Sequence, residues 1–500
     1  MYKIHLILKY LRKRRIAWVS LIAVMLCTTM VLVVISVMGG WLRMFEENFH
    51  GLSGDILVSA KTLRGFAYYD RVVEGAEKLP EVQAAVPIIK TYGLINIGKL
   101  KTDGLQVIGY PLDKIGKVNR FPKSLYFQYQ KSMDDAAAAN TAKQKQDLTR
   151  AAQQAVAKAS FNHRPLPAED YKHIVPKSDN WPGIILGAGL LEIRKGMDGK
   201  LVGRDLYKYE LPVKLILFNV DTRSITDPDA VSQRAYWIAD DSRTQVWQYD
   251  SATAYVPFDV IQQDLGMQKQ QVTSELTGAA ITRPARCNEV HIKVKDGVDL
   301  KLAKAKIQAV VDKVMDQARQ EERLAGSPSY SDVIPEVQTW RESQAMWIGA
   351  IENEKVLVVF LFSMISVVAV FLIFCIFYMI VAEKTRDIGI IKSVGATAMG
   401  VAGIFLGYGA AIGVVGGGLG FAMGYLIVHN INFLHQKMGE LMGIQIWKPE
   451  VYAFDTIPSQ IDPKEATIIV GVAILSSILG AVIPAIRAAR MNPVEAVRYE

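Results

Sequence analysis

Four long apolar runs constrain the fold of this chain more than any other feature. They cover residues 16–38, 356–381, 399–428 and about 466–486. Each run is long enough to cross the roughly 30 Å hydrocarbon core of a bilayer as an α-helix. Half of the residues in the chain are hydrophobic, and their concentration in blocks is typical of a membrane protein. The sequence therefore predicts four transmembrane α-helices.

The basic residues predict how these spans are oriented. Those next to the spans and in the loop between the second and third runs are Lys3, Lys9, Arg12, Lys13, Arg14, Arg15, Lys384, Arg386, Lys392, Arg487, Arg490 and Arg498. Because cytoplasmic loops carry an excess of Lys and Arg, both termini and this loop are predicted inside. The first run is longer than the apolar part of a signal peptide and lacks a small-x-small cleavage site, so we expect an uncleaved anchor.

Charge and cysteine content exclude some classes of protein. Much of the net charge of +8 lies beside the spans, whereas a nucleic-acid-binding protein carries a basic face on a folded domain. We therefore expect no nucleic-acid partner. Cys27 and Cys375 lie inside apolar runs and Cys287 lies in the polar region, so we expect no disulfide within that region. The cysteine spacing also does not indicate a metal site.

The long polar region 41–352 predicts a large α+β domain outside the membrane. Strands are predicted at 55–59, 82–97, 105–109, 183–186, 211–218, 236–240, 254–257 and 289–294, and helices at 69–79 and 302–315. An Ala-, Gln- and Lys-rich stretch, 132–159, interrupts the domain and is followed by a Pro-containing loop. We interpret residues 132–180 as an inserted solvated helix and loop, which is either a tolerated surface segment or an arm that contacts a partner. The expected domain boundaries are 1–40, 41–352 and 353–500.

The charged segment 383–396 predicts a short amphipathic helix at the membrane surface. Its apolar residues recur at roughly helical spacing, and they are Ile388, Ile390, Ile391 and Val394. Glu383 and Asp387 stand near its start, where the helix dipole favours negative charge. Gly395 can act as the C-terminal cap. An apolar edge on such a helix needs a surface on which to dock.

Small and aromatic residues indicate how the spans pack and where the membrane ends. Glycines recur every four residues in the third run, at Gly409, Gly413, Gly416, Gly417, Gly420 and Gly424. This spacing predicts close helix packing, either within the chain or in a dimer-like interface with a second chain. Trp41, Trp340 and Trp347 are expected at the outer interface, where indole rings prefer to lie. Trp340 and Trp347 are seven apart, which predicts one helical face.

No span carries a charged residue at its centre, and this argues against a proton- or ion-coupled carrier. It also argues against an aqueous pore. The chain contains no G-x-x-x-x-G-K-[ST] motif, so ATP hydrolysis is expected from a partner and the chain is not expected to be an enzyme. Apolar spans of this kind offer hydrocarbon contact rather than a wet channel.

Several motifs together resemble one family. Residues 383–390 (EKTRDIGI) with 394–396 (VGA) are similar to the cytoplasmic loop of FtsX/MacB-type ABC transporter permeases. Residues 484–490 (PAIRAAR) with 492–496 (NPVEA) are similar to the C-terminal signature of that family. Residues 452–463 and the first span resemble lipoprotein-releasing permeases of the LolC/LolE type. The layout of the outer domain resembles that of a MacB-like periplasmic domain.

The resemblance implies a half-transporter in the inner membrane, with its large domain in the periplasm. Its partners would be an ABC ATPase, a second permease (homologous or identical), a lipoprotein cargo and a periplasmic carrier. The loop helix would be the coupling helix that docks on the ATPase, through Glu383, Lys384, Arg386, Asp387, Ile388, Gly389, Ile391, Lys392 and Gly395. ATP and Mg would be bound by the ATPase, and no cofactor is expected in this chain. Movement driven by ATP would then be passed to the outer domain, which is mechanotransmission.

Three alternatives are open. Two keep the same fold: a MacB-like exporter of peptides or drugs, and an FtsX-like transmitter of force to a cell-wall hydrolase. The third is a membrane-anchored enzyme built on His163, Glu169, Asp170 and His173, although their spacing matches no familiar metal-ligand pattern. The resemblance also leaves open whether the role is LolC-like or LolE-like.

Overall fold

The computed structural model describes residues 15–97, 101–139, 142–163, 181–191, 193–195, 201–202, 212–219, 230–273, 280–442 and 456–498. They divide into two compact units, with the divisions after Met44 and after Met346. We call residues 45–346 the inserted domain. We call the described residues before and after it the membrane unit.

The described part of the inserted domain contains both helices and strands, whereas the described part of the membrane unit is helical. In chain order the helices are α1 (Arg15–Ser53), α2 (Tyr69–Glu77), α3 (Leu112–Ile115), α4 (Lys131–Ala138), α5 (Ala142–Ala157), α6 (Trp247–Ala252), α7 (Phe258–Asp264), α8 (Leu300–Ala325), α9 (Trp340–Ser343), α10 (Ala345–Glu383), α11 (Thr385–Ser393), α12 (Ala398–His429), α13 (Ile431–Met442), α14 (Pro463–Arg490) and α15 (Pro493–Arg498). Short 3₁₀ and π turns cover Phe121–Ser124 and Tyr126–Gln130.

The strands all belong to the inserted domain. They are β1 (Ile56–Ser59), β2 (Phe66–Ala67), β3 (Val82–Ile97), β4 (Lys101–Tyr110), β5 (Gly183–Gly187), β6 (Arg194–Lys195), β7 (Leu201–Val202), β8 (Val213–Phe218), β9 (Val231–Ser242), β10 (Thr253–Pro257), β11 (Gln270–Thr273), β12 (Ala280–Arg283), β13 (Arg286–Cys287), β14 (Glu289–Val294) and β15 (Glu336–Thr339).

The predicted spans lie inside four longer helices. Among the described residues, the helices α1, α10, α12 and α14 are long and apolar enough to cross a membrane. The first two exceed their apolar runs: α1 continues to Ser53 and α10 begins at Ala345. Hydropathy marks the part of a helix that suits hydrocarbon, while backbone hydrogen bonding continues into polar residues. The four-span prediction is therefore confirmed, and the helices extend beyond it.

The third span, α12, is the centre of the membrane unit and packs on both α1 and α14. A cluster of buried apolar side chains, including Val24, Phe377, Ile412 and Ala481, joins the four spans. Pro484 lies inside α14, where it is buried. The membrane unit therefore has its own core, made of residues from every span.

The inserted domain is built on one nine-stranded sheet, of order β15-β1-β14-β3-β4-β10-β5-β9-β8. The long strand β3 pairs with β14 through its first half and with β4 through its second half. Its final residues also pair with β8, so that β3, β4, β10, β5, β9 and β8 form a closed ring. The mixture of parallel and antiparallel pairs confirms the predicted α+β class.

Two hydrophobic clusters stabilise the inserted domain. The larger joins sheet residues such as Ile56 and Val107 to Ile307 and Val311 of α8. The smaller lies around Phe121 and Tyr255, whose ring centroids are 4.2 Å apart. Side chains alternate between buried and exposed along much of β8, as a strand with one buried face requires.

The Ala-rich insertion forms a pair of helices instead of the predicted single helix. The chain leaves α4 at Ala139, which has extended backbone angles, and α5 follows. Ala136 and Ala152 are buried, while most other side chains of the pair are exposed. At the base of the pair, the Ser160 amide donates to Oε1 of Gln128 at 2.8 Å. The loop predicted at 164–180 lies outside the described residues.

A buried group of charged side chains connects β3 and β14. Nζ of Lys90 lies 2.7 Å from Oε2 of Glu289, and Nε2 of His291 lies 2.8 Å from the same oxygen. Burial raises the pKa of the Glu289 carboxyl, but the Lys90 charge and the His291 hydrogen bond outweigh it and lower that pKa to about 2. Glu289 is therefore ionised at neutral pH, and its charge is compensated inside the domain.

Candidate functional site

The loop helix α11 is shorter than the predicted amphipathic segment. Glu383 is the last residue of α10, and Lys384 separates the two helices with non-helical backbone angles. Nζ of Lys384 pairs with the carboxylate of Asp387 in the first turn of α11. Gly395 has φ +107°, the left-handed conformation that glycine adopts after a helix C-terminus. The helix is therefore fixed at both ends by residues that the sequence pattern singles out.

One side of α11 packs on the membrane unit itself. Ile388 is 4% exposed and belongs to the cluster that contains Val381 and Ala485. Gly389 is buried beside it. Nζ of Lys392 donates to the carbonyl oxygens of Ala489 and Met491, at the end of the last span. The predicted apolar edge is thus partly wrong: Ile388 is used inside the chain, and Ile391 is half-buried.

The opposite side of α11 is open. Arg386, Ile390 and Val394 are exposed, and their spacing of four residues places them on one face of the helix. Val394 is 84% exposed, which is unusual for an apolar side chain on a structured helix turn. Glu383 is also exposed. We call Arg386, Ile390 and Val394 the open face of α11.

The glycines of α12 divide into two rows that contact different spans. The first row, Gly409, Gly413 and Gly417, faces α14. A Cβ atom on Gly413 would lie 2.8 Å from Cα of Ile474, and one on Gly409 would lie 2.7 Å from Cβ of Ala481. Such distances leave no room for a side chain. These glycines therefore let two helix backbones approach closely within the chain.

The second row, Gly416, Gly420 and Gly424, faces α1. A Cβ atom on Gly420 would lie 2.7 Å from the carbonyl oxygen of Met25. Across the same contact, Oγ1 of Thr29 donates to the carbonyl oxygen of Gly420 at 3.0 Å. Both rows thus pack inside this chain. Of the two options that the sequence leaves open, the structure places these glycines in contacts between the spans of this chain.

A cavity of about 260 Å³ lies between α1, α10 and α14. Most of its lining is aliphatic, for example Val31, Ile35 and Val472. Its hydroxyl groups include those of Thr28 and Ser477, which donate to carbonyl oxygens of their own helices. Because aliphatic side chains form most of the lining, the cavity presents a mainly apolar surface.

The predicted interfacial tryptophans lie on separate elements. Trp41 is half-buried in α1 and Trp347 is 44% exposed in α10. Trp340 begins the short helix α9 and stacks on His50, with ring centroids 4.8 Å apart. Because Gln344 interrupts the helical backbone between α9 and α10, the prediction of one helical face for Trp340 and Trp347 is wrong.

The alternative enzymatic site is not assembled by the described residues. His163 is half-buried, and burial lowers its pKa. Glu169, Asp170 and His173 lie outside the described residues. Within the described part of the chain, no group of three or more His, Cys, Asp or Glu side chains is placed to hold a metal ion.

Helix α13 was missed by the sequence analysis, although it follows the third span directly. Its signal is a run of apolar residues at helical spacing, INFLHQKMGELM, between two spans. Polar contacts gather near it. Arg43 donates to the side-chain oxygen of Gln460 at 2.8 Å, and Lys355 pairs with Glu465 at 2.5 Å. These contacts mark one end of the membrane unit, which we call the outer end in keeping with the predicted orientation.

Residues 359–493 match the model of the family described as FtsX-like permease C-terminal. The chain is also similar to the lipoprotein-releasing system transmembrane protein LolC of Neisseria meningitidis, with 30% identity over 164 residues. This match covers 33% of the chain and 40% of the relative. LolE of Haemophilus influenzae is 28% identical over 128 residues, which are 26% of the chain and 31% of the relative.

An uncharacterized ABC transporter permease of Methanocaldococcus jannaschii is 32% identical over 126 residues, 25% of the chain and 27% of the relative. Among solved structures, the periplasmic region of MacB from Actinobacillus actinomycetemcomitans matches 59% of this chain and 92% of its own, with 11% identity and a TM-score of 0.23. The match to LolC of Neisseria meningitidis covers 40% of that relative, so the chain spans less than half of its length.

Proposed function

Since residues 359–493 are an FtsX-like permease domain and the chain is similar to LolC and LolE, we propose that it is the permease subunit of an ABC transporter that extracts lipoproteins from the inner membrane toward the outer membrane. ATP and Mg are bound by a separate ATPase. The inserted domain faces the periplasm, and both termini face the cytoplasm. A second permease, homologous or identical, completes the transporter.

The open face of α11 carries this proposal. One side of α11 is fastened to the last span by Ile388 and Lys392, while Arg386, Ile390 and Val394 face away from the chain. An exposed apolar and basic face on a fastened helix is suited to bind a partner and to pass its movement to the spans. In this proposal, α11 is the coupling helix and the ATPase is its partner.

The cavity between α1, α10 and α14 supports the choice of cargo. An acyl chain gains free energy when it leaves water for aliphatic surface, and this cavity offers such a surface within the spans. A water-filled path for ions or polar drugs would need unpaired polar groups along it. The hydroxyl groups of Thr28 and Ser477 are instead bonded to their own backbone.

The experiment that tests this function is copurification of the full chain in mild detergent, with mass spectrometry of the bound proteins. A stoichiometric ATPase together with acylated lipoproteins is the expected result. The same measurement reports whether the second permease is identical or homologous. An ATPase without lipoprotein would favour a peptide or drug exporter, or a transmitter of force to a cell-wall hydrolase. Absence of an ATPase would contradict the coupling role of α11.

A further inference from the structure

Helix α13 has two different sides. At 100° per residue, its apolar residues Ile431, Phe433, Leu434, Met438 and Leu441 fall on roughly one half of the helix circumference. The other half carries Asn432, His435, Gln436, Gly439 and Glu440. Lys437 is the one charged residue on the apolar half. This distribution is typical of amphipathic helices that lie along a surface.

One polar side chain of α13, that of Asn432, is bonded to the segment before the last span. The amide of Ile457 donates to Oδ1 of Asn432 at 2.7 Å, and Nδ2 of Asn432 donates back to the carbonyl oxygen of Ile457. Residues close to Ile457 are in turn attached to the first span, because the amide of Gln460 donates to the carbonyl oxygen of Ser36 at 3.0 Å. These hydrogen bonds attach the start of α13 to the segment that leads into the last span.

Of the five apolar residues of α13, Ile431 is half-buried and the other four are exposed. Leu434 and Leu441 lie roughly 180–200° around the helix from Asn432. Leu434 is 40% exposed, Met438 is 42% exposed and Leu441 is 83% exposed. Among the described residues, Phe433, Leu434, Met438 and Leu441 are left exposed, and an apolar surface of this kind suits an apolar surrounding.

The position of α13 identifies this surrounding as lipid. The helix begins directly after Asn430, where the third span ends, and it is bonded to the segment that leads into the last span. The ion pair of Lys355 and Glu465 lies at this same outer end, as expected where hydrocarbon gives way to headgroups. An apolar side at that level, beside two spans, is continuous with the surface that the spans present to the bilayer.

We propose that α13 is an interfacial helix, which lies in the outer surface of the bilayer with its apolar side in lipid. Lys437 pairs with Glu440 at 2.7 Å and is half exposed on the same side. A long lysine side chain in this position can reach the phosphate groups while its stem remains in the apolar layer. The proposal concerns the membrane alone, and it holds whatever cargo the transporter carries.

The test places a nitroxide spin label on either side of α13 in the full chain. Leu441→Cys labels the apolar side and Gln436→Cys the polar side, in a background with Cys27→Ala and Cys375→Ala; Cys287 is buried. Both new positions are exposed, so the label does not disturb packing. The labelled proteins are placed in nanodiscs of phosphatidylethanolamine and phosphatidylglycerol. Collisions with oxygen, which enters lipid, and with a water-soluble nickel chelate are then measured.

We expect the label at position 441 to collide mainly with oxygen and the label at position 436 mainly with the nickel chelate. If the label at 441 were accessible to nickel, the helix would lie in water, and the proposal would be overturned. If it were shielded from both reagents, a protein would cover the apolar side, either a second copy or another subunit. That outcome would also overturn the proposal.

Discussion

Nζ of Lys392 donates to the carbonyl oxygen of Ala489 at 2.8 Å, and this contact fastens α11 to the end of the last span. The final carbonyl groups of a helix lack partners within the helix, and a lysine that binds them also compensates the helix dipole. The contact joins the proposed ATPase-binding helix to a transmembrane helix through a charged side chain.

We expect Lys392→Met to lower the free energy of unfolding by about 2 kcal/mol, because two hydrogen bonds from a charged donor to half-buried carbonyl groups are lost. Chemical unfolding of the full chain in detergent measures this. Arg386→Met is the matched control, since Arg386 is exposed on the same helix. If the two variants were equally stable, the hydrogen bonds of Lys392 would contribute little to the stability of the chain.

Ile390→Asp should abolish copurification of the ATPase and leave the chain folded, because Ile390 is 47% exposed on the open face. Ile388→Asp should instead lower the yield of folded protein, since it would place an unpaired carboxylate in the core of the membrane unit. The measurements are ATPase recovery and elution as a single species. Normal ATPase recovery with Ile390→Asp would contradict the open face as the docking surface.

Gly420→Ala should destabilise the chain by about 1–3 kcal/mol, because its Cβ would lie 2.7 Å from the carbonyl oxygen of Met25. Gly418→Ala is the control on the same helix, since no atom lies within 4 Å of its Cβ position. Thermal unfolding in detergent compares the two. If both variants were as stable as the unsubstituted chain, the result would contradict close packing of α12 on α1 at Gly420.

Acid should weaken the inserted domain through Glu289. Its pKa is lowered to about 2 in the folded state, below the roughly 4.3 of an unperturbed glutamate, so its contribution is present above pH 4.3 and is lost as pH falls toward 2. Tryptophan fluorescence of the full chain during unfolding, measured from pH 7 to pH 2, follows this loss.

Glu289→Gln should be less stable at pH 7, because Lys90 loses its partner, and should lose less stability between pH 4.3 and pH 2. Glu321→Gln, at an exposed ion pair with Arg71, serves as the control and should retain the acid-dependent loss. An unchanged acid dependence in Glu289→Gln would exclude Glu289 as its source.

Filling the cavity should impair release of lipoprotein without loss of the ATPase. Ser476→Phe would occupy the space between α1, α10 and α14, whereas Leu475→Phe adds its ring on a side chain that is 58% exposed and does not line the cavity. Release from proteoliposomes that contain the complete transporter is the measurement. Equal release by the two variants would indicate that acyl chains do not use this cavity.

Hydropathy predicted the four spans because each must present apolar side chains over the thickness of a bilayer. It could not predict that α1 continues to Ser53, since residues beyond the hydrocarbon are polar and still helical. Likewise, the spacing of Ile388, Ile391 and Val394 predicted an amphipathic helix but not which side of it faces the chain. Burial of Ile388 is decided by contacts with the last span, which is distant in sequence.

Eight of the fifteen described strands could be predicted from their apolar runs, and β3 and β14 have the bounds expected from the sequence; the seven others are strands of two to four residues, too short to give a clear pattern. The ring of strands could not be predicted, because it depends on the pairing of β3 with β8, which are far apart in the sequence. Trp340 and Trp347 show the same limit: their spacing suggests one helix, yet Gln344 interrupts the backbone between them.

Pro484 lies in the last span, close to the C-terminal end that Lys392 contacts. A proline has no amide hydrogen, so the carbonyl of Gly480 lacks its usual partner and the helix resists bending least at this turn. Before Pro484, α14 packs closely on the glycines of α12. After Pro484, the carbonyl oxygen of Ala489 accepts a hydrogen bond from Lys392. If α11 moves with a bound ATPase, as proposed, the turn that contains Pro484 is the place where the last span can change its angle.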